Sequence, residues 1–302
     1  MLINDNIYYE DNHYIIINNI PNNIFYYIDY DKRDASVNME FQHLHPYYEI
    51  FMLLAPNASH LIEGVPYNLR MGDFVLLAPS VMHKSIYYKG EPSKRIIIDF
   101  MYPLDKPESA EAYKEILAPF HQDVPIYRFD FQDQQRIIDI LNNLYIFSKE
   151  HKYYGNPPDE FYIHNKFQEL LYAFYELRDK NLYTNEQTYN SIEQKMYEVS
   201  SYIHTHYDED ISLDTLSEYF FISSSYLSRE FKQVTGFNLS SYIQLTRIKN
   251  AQYKLISSNE KISVIAQSCG FSSFSQFNRV FNKISGTSPR EYRQSAVLNG
   301  NV

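Results

Sequence analysis

Gln276-Phe277-Asn278-Arg279-Val280-Phe281-Asn282-Lys283-Ile284-Ser285-Gly286 decides how the C-terminal third of the chain folds. Upstream stands Tyr226-Leu227-Ser228-Arg229-Glu230-Phe231-Lys232-Gln233-Val234-Thr235-Gly236, with Phe231 in the place of Phe281, an offset of 50 (281 − 231). The same offset pairs Ser223 with Ser273, Leu227 with Phe277, Arg229 with Arg279 and Tyr242 with Tyr292. A repeat of that period marks a duplicated supersecondary unit. Each copy predicts helix, short turn, helix. Ser212 caps a helix to about Phe220, Ser223 caps the next, and Gly236 closes it in left-handed geometry. Ser263–Ser268, the turn Cys269-Gly270-Phe271 and a helix over Ser273–Ile284 repeat the layout, and a longer helix over Ser240–Ser257 joins the copies. Leu227, Phe231, Phe277 and Phe281 fall on the buried faces.

Charge sets this stretch apart. From Ile211 to the end there are ten Lys/Arg and five Asp/Glu, a net of +5; residues 1–210 carry 17 and 32, a net of −15. A basic module on an acidic partner points to nucleic acid at one end of the chain. The outward residues are Ser224, Ser225, Ser228, Arg229 and Lys232 in the first copy and Ser273, Ser275, Asn278, Arg279 and Lys283 in the second. Arg229 and Arg279 suit guanine edges or phosphate, Asn278 suits adenine, and Lys232 and Lys283 suit phosphate. For both arginines the alternative is an ordinary surface ion pair.

The first hundred residues read differently. Tyr14–Ile17, Ile24–Ile28, Tyr48–Leu54, Phe74–Leu77 and Arg95–Phe100 are short runs rich in Ile, Val, Tyr and Phe, separated by turn-forming residues. Many short strands predict a sandwich or barrel. Within them lie His43-Leu44-His45-Pro46-Tyr47-Tyr48-Glu49 and, downstream, His83. Three imidazoles and a carboxylate suit a borderline divalent ion, and the same groups suit a polar small molecule. Further on, Ile137, Ile138, Leu141, Leu144 and Ile146, then Phe161, Phe167, Leu170, Leu171, Phe174 and Leu177, recur at helical spacing. Those stripes pack on the β region or on a second subunit. A polar stretch, Asn181–Asn190, reads as a linker.

With one cysteine, Cys269, no disulfide or all-cysteine zinc site forms within the chain. No basic segment followed by an apolar core opens the sequence, and no apolar run nears the roughly 20 residues of a membrane span, so the expected location is the cytoplasm.

Ala266, Gly270-Phe271, Phe277, Arg279, Phe281, Gly286, Ser288-Pro289 and Tyr292-Arg293 resemble the signature of the AraC/XylS family of transcription regulators; Asn282 departs from the Lys usual after the Phe. The histidine-rich stretch resembles the cupin motifs, with Ala55-Pro56 where a glycine usually closes the first. The expected fold class is α+β multidomain. It comprises an N-terminal cupin-like β-barrel (residues 1–103) for ligand sensing, a helical connector or dimerisation region (104–189), and a C-terminal all-α domain with two helix-turn-helix units (190–302). The resemblance implies a ligand-responsive, sequence-specific DNA-binding regulator, not an enzyme, acting as an activator of an operon for sugar or metabolite use. The implied partners are double-stranded promoter DNA, RNA polymerase, a small-molecule effector such as a sugar, and a second copy of the chain. His43, His45, Glu49 and His83 are the expected effector ligands. No cofactor is required; a divalent metal on the same four residues is the other possible occupant. The rival readings are a metal-dependent cupin enzyme fused to a DNA module and a ligand-independent dimeric DNA binder.

Overall fold

The structure is a computed structural model, and it describes residues 13–19, 24–33, 43–45, 47–79, 81–88, 90–101, 110–151, 156–184, 191–258 and 260–298. The N-terminal residues 1–5, the start of the connector (104–109) and most of the polar linker (185–190) lie outside the described residues.

Among the described residues nine strands make two sheets. β1 (His13–Asn19), β2 (Ile24–Arg33), β8 (Ser93–Met101), β3 (Tyr48–Leu53), β6 (Phe74–Leu77) and β9 (Ile126–Tyr127) form one, in that order; β5 (Val65–Arg70), β4 (Asn57–Ile62) and β7 (His83–Ile86) form the other. All pairings are antiparallel. The expected closed barrel is corrected here: the described strands stop as two sheets packed face to face. The chain crosses between them at Ala55-Pro56, and a proline has no N–H with which to continue a ladder. Phe51, Leu53, Val75 and Leu77 meet Ala58, Ile62, Tyr67, Leu69 and Tyr87 across the gap.

The opposite face of the large sheet is also covered. Strand alternation sends Tyr48, Ile50, Met52, Ile96, Ile98 and Phe100 outward, onto α2 (Phe131–Glu150) and α3 (Pro157–Leu177). The helical stripes Ile137, Ile138, Leu141, Leu144, Phe167, Leu170, Leu171 and Phe174 are spent on that contact, so the sheet is their partner. A short α1 (Ala110–Ile116) precedes them. Arg128, just past β9, forks onto buried Asp73 with bonds of 2.7 and 2.6 Å, which locks the β5–β6 turn to the helical layer.

The C-terminal third is helical: α4 (Ser191–Thr205), α5 (Leu213–Tyr219), α6 (Ser224–Thr235), α7 (Leu239–Ser257), α8 (Ile262–Ser268), α9 (Phe274–Ser285) and α10 (Pro289–Leu298). It has two small cores. Met196, Val199, Ile203, Leu216, Leu227 and Phe231 join Tyr242 and Ile243 of α7 in the first. Ile265, Ala266, Phe271, Phe277 and Phe281 join Ile248, Ala251 and Leu255 of the same helix in the second. α7 is therefore shared, one end in each core.

Candidate functional site

Two places bring functional side chains together. The first is the helical repeat. The caps form as the serines require: Ser223 Oγ accepts from Tyr226 N at 3.4 Å and Ser273 Oγ from Gln276 N at 3.2 Å. Gly236 and Gly286 close α6 and α9 at φ 84° and 70°, a region open to glycine. The two copies share these caps at an offset of 50, yet their lead-in helices match at 49, because Leu213 begins α5 and Ile262 begins α8 (262 − 213). The second turn has one more residue. Its left-handed position is Gly270, φ 80°; the matching position of the first copy is Phe221, φ 54° and 93% exposed. A Cβ on Gly270 would lie 2.6 Å from Tyr207 O and 2.8 Å from Arg247 Nε. Arg247 bonds the carbonyls of Tyr207 and Glu209 at 2.7 Å each, binding the first unit to the second turn.

The ten outward residues do not stand in equal positions. Ser225, Arg229, Lys232, Ser273, Ser275, Arg279 and Lys283 are exposed, and Ser224, Ser228 and Asn278 are half-buried. Ser224 is engaged within the fold, donating to Asp214 Oδ1 at 3.2 Å and touching Ser217 Oγ at 2.9 Å. Ser273 spends its hydroxyl oxygen on its cap. Arg229 is held by Glu230 Oε1 at 2.8 Å and lies over the Tyr226 ring, 5.5 Å from its centroid. The side chains of Lys232, Arg279 and Lys283 have no partner among the described residues. The two arginines occupy matching helix positions but only Arg279 is free.

The second place lies between the sheets. One ligand atom from each of His43, His45, Glu49 and His83 falls within 4.8 Å of the others. Glu49 comes from β3 of the large sheet and His83 from β7 of the small one, so the cluster bridges the layers. His43 is placed by a two-bond bridge to His83, N to O at 2.9 Å both ways. His83 Nδ1 donates to Val81 O at 2.8 Å and His45 Nδ1 to Tyr47 O at 3.1 Å, which turns both Nε2 atoms inward. Backbone carbonyls that hold the outer nitrogen are the usual support of a ligating imidazole. Glu49 Oε2 receives His45 Nε2 at 3.0 Å and has His83 Nε2 at 3.3 Å. Burial works against the Glu49 charge, but the neighbouring His83 and His45 outweigh it and hold its carboxyl well below the usual range. Burial first, then His83, lowers His43 to about 4, so its ring is a neutral donor of a lone pair. His43 Nδ1 is buried with no hydrogen-bond partner among the described residues. Three imidazoles, one of them with an orphaned ring nitrogen, and one carboxylate fit a borderline divalent ion.

Two residues beside this cluster escape the sequence. His60 on β4 is fully buried; its ring is 5.7 Å from that of His83, and its Nε2 has no partner among the described residues. Asp99 on β8 sits directly across from Glu49, and burial, then the Glu49 charge, raises it to about 6. The signal for His60 is the inward alternation Ala58, His60, Ile62; Asp99 depends on a strand register that no local pattern reveals.

Residues 216–295 match the family model described as a helix-turn-helix domain. An HTH-type transcriptional regulator of Staphylococcus aureus is 39% identical over 101 residues, which are 33% of this chain and 14% of that relative; the chain thus spans about a seventh of its length. The HTH-type transcriptional activator RhaS of Escherichia fergusonii is 24% identical over 266 residues, covering 84% of this chain and 87% of that one. A solved transcriptional regulator from Chromobacterium violaceum, of the proteins containing an AraC-type DNA-binding domain, shares 30% identity over 34% of this chain and 91% of its own, with a TM-score of 0.32.

Proposed function

We propose that the protein binds double-stranded DNA through the helix-turn-helix domain of its C-terminal part and regulates transcription as its relatives do, under control of an occupant held between its two sheets. The observation that carries the first half is the pair of equivalently capped helices, α6 and α9, mounted on one rod in the basic part of an acidic chain. α7 has 19 residues and is about 28 Å long at 1.5 Å per residue, a scale that suits successive major-groove segments about one turn apart. Arg279, Asn278 and Ser275 face the bases from α9, and Ser225, Ser228 and Arg229 face them from α6. Lys232 and Lys283 grip phosphate, giving affinity that falls with salt. Ser224 and Ser273 act one step back by fixing the turn and the helix start.

The occupant half rests on His43, His45, Glu49 and His83. Three imidazoles and a carboxylate would hold a divalent ion, which would supply charge to fix an oxygen-bearing effector; His60 and Asp99 form the adjoining wall. A small polar effector, a sugar among them, is the other occupant of the same cluster. The finer form of the reading is an activator of an operon for metabolite use, working with RNA polymerase as a homodimer; it is supported by the relation to a protein named a transcriptional activator.

Selection of duplexes from a random pool with the full chain tests the DNA half: recovery of a two-part motif is expected, and a pool that stays random refutes it. Equilibrium dialysis against Zn²⁺, Mn²⁺ or Fe²⁺, with and without His83→Ala, tests the ion. One equivalent lost in the variant is expected; no uptake by the wild type refutes the ion.

A further inference from the structure

The turn between β4 and β5 is Glu63-Gly64, with Ile62 paired to Val65 across it. Both residues have positive φ, 48° and 80°, the geometry of a two-residue hairpin turn that favours Asn-Gly or Gly-Gly. A glutamate there carries backbone strain and gains nothing within the hairpin. What it gains is outside: its carboxylate pairs with Lys249 Nζ in the middle of α7 and lies 3.9 Å from His204 Nδ1 on α4. Gly64 is pressed against the same helices. A Cβ there would overlap Ser200 on α4 and stand 3.2 Å from the hydroxyl of Tyr242 on α7, which itself bonds Ser200 and His204 at 2.6 and 2.9 Å. Beside the turn, Met82 is fully buried, and it belongs to the first helical core with Met196, Val199 and Ile203 rather than to either sheet core. Glu63 N donates to Met82 O at 2.7 Å, so turn and methionine move as one piece.

That piece is attached directly to the cluster. Met82 is followed in sequence by His83, and Ile62, the residue before the turn, pairs with His83 across the ladder. The second helical core contains no residue from the sheets. We propose that Glu63, Gly64 and Met82 form an intramolecular latch that docks the first helix-turn-helix unit on the small sheet. Through His83, the latch transmits occupancy of the His43–His45–Glu49–His83 cluster to α4 and α7. The latch itself stands on the contacts above; the transmission rests on the occupant reading under Proposed function. α6, the reading helix of the first unit, packs on α4 and α7 through Leu227 and Phe231, so a shift of α4 moves it relative to α9, whose core holds no sheet residue among the described residues.

Amide hydrogen exchange on the full chain tests both parts, with Zn²⁺ as the probe and its binding measured separately by dialysis. Without metal, Glu63→Ala and Lys249→Met should each accelerate exchange in Ser191–Thr205 and the first half of α7 by about five-fold, with no further gain in the double variant and no change in α8 to α10. Unchanged exchange in α4, or an equal rise across all helices, overturns the latch. Zn²⁺ should then alter α4 exchange in the wild type and not in the two variants, although all three bind it. If Zn²⁺ binds and α4 does not respond, transmission is overturned and the latch stands. If Zn²⁺ does not bind, the ion reading fails, and the metal-free arms alone judge the latch. Glu63→Gln, which keeps the shape and loses the charge, should fall between wild type and Glu63→Ala.

Discussion

Replacing Arg279 by alanine isolates base recognition from folding, because the side chain is exposed and has no partner among the described residues. The fold should therefore lose no more than about 0.5 kcal/mol. A bidentate arginine–guanine contact is worth about 1–3 kcal/mol of discrimination, or roughly 5- to 150-fold in Kd. Arg229 starts from a different state. It must leave Glu230, held at 2.8 Å, before it can reach DNA, and an exposed ion pair of that kind offsets about 0.2–1 kcal/mol of what the new contact brings. The expected order of loss is Arg279→Ala above Arg229→Ala, and Glu230→Ala should tighten binding by releasing Arg229 and removing a negative charge. Lys283→Ala should weaken binding evenly over all sequences and lower the salt slope by about 1. Fluorescence anisotropy at several salt concentrations, on a duplex selected by the wild type and on a scrambled one, reads all four. The reasoning is refuted if Arg279→Ala weakens both duplexes equally, or if Glu230→Ala loosens the complex.

Four further outcomes concern the scaffold. Phe221→Gly should raise unfolding free energy by about 0.5–1 kcal/mol, since the left-handed strain of about 1–2 kcal/mol exceeds the extra backbone entropy of glycine; urea midpoints decide it. Gly270→Ala should do the reverse, as its Cβ meets the Tyr207 carbonyl. Arg128→Met strands buried Asp73 and should cost about 3–5 kcal/mol in the same assay, with less than 1 kcal/mol contradicting the assignment. Burial lowers His204 to about 3, while the unfolded chain takes up a proton near 6.5. Stability from this group is complete above pH 6.5 and is lost as pH falls toward 3, by about 1.4 kcal/mol per unit. Wild type should thus lose about 2 kcal/mol between pH 6.5 and 5 relative to His204→Gln, measured by denaturation at both pH values.

The helical repeat was legible because its determinants are local. Ser223, Ser273, Gly236 and Gly286 sit within one turn of what they cap, and Phe231 and Phe281 recur at helical spacing. The β region was half legible. β1, β2, β3, β6 and β8 carry apolar runs, whereas β4, β5 and β7 carry Ser59, His60, Asn68, His83 and Ser85, which blur the alternation, and β9 has two residues. The four cluster residues were visible as a spacing, and the structure brings them together; Asp99 joins them only through the β3–β8 register. The offset change from 50 to 49 was hidden because every residue pair that revealed the repeat lies after the turn. Ser224 reads as outward from periodicity alone, and only the fold of α5 against α6 brings Asp214 and Ser217 to its hydroxyl.

α7 belongs to two cores at once, and this restricts how the chain can vary. One residue inserted between Ile243 and Ile248 would rotate everything beyond it by about 100° and advance it by about 1.5 Å. The second reading helix would then face away from the surface presented by the first, although both units would remain intact. A surface loop absorbs such a change at little cost; a helix seated at both ends does not. The length of α7 therefore acts as a gauge with discrete settings, and the separation and phase of the two recognition surfaces can drift only by whole turns or by remaking one of the cores.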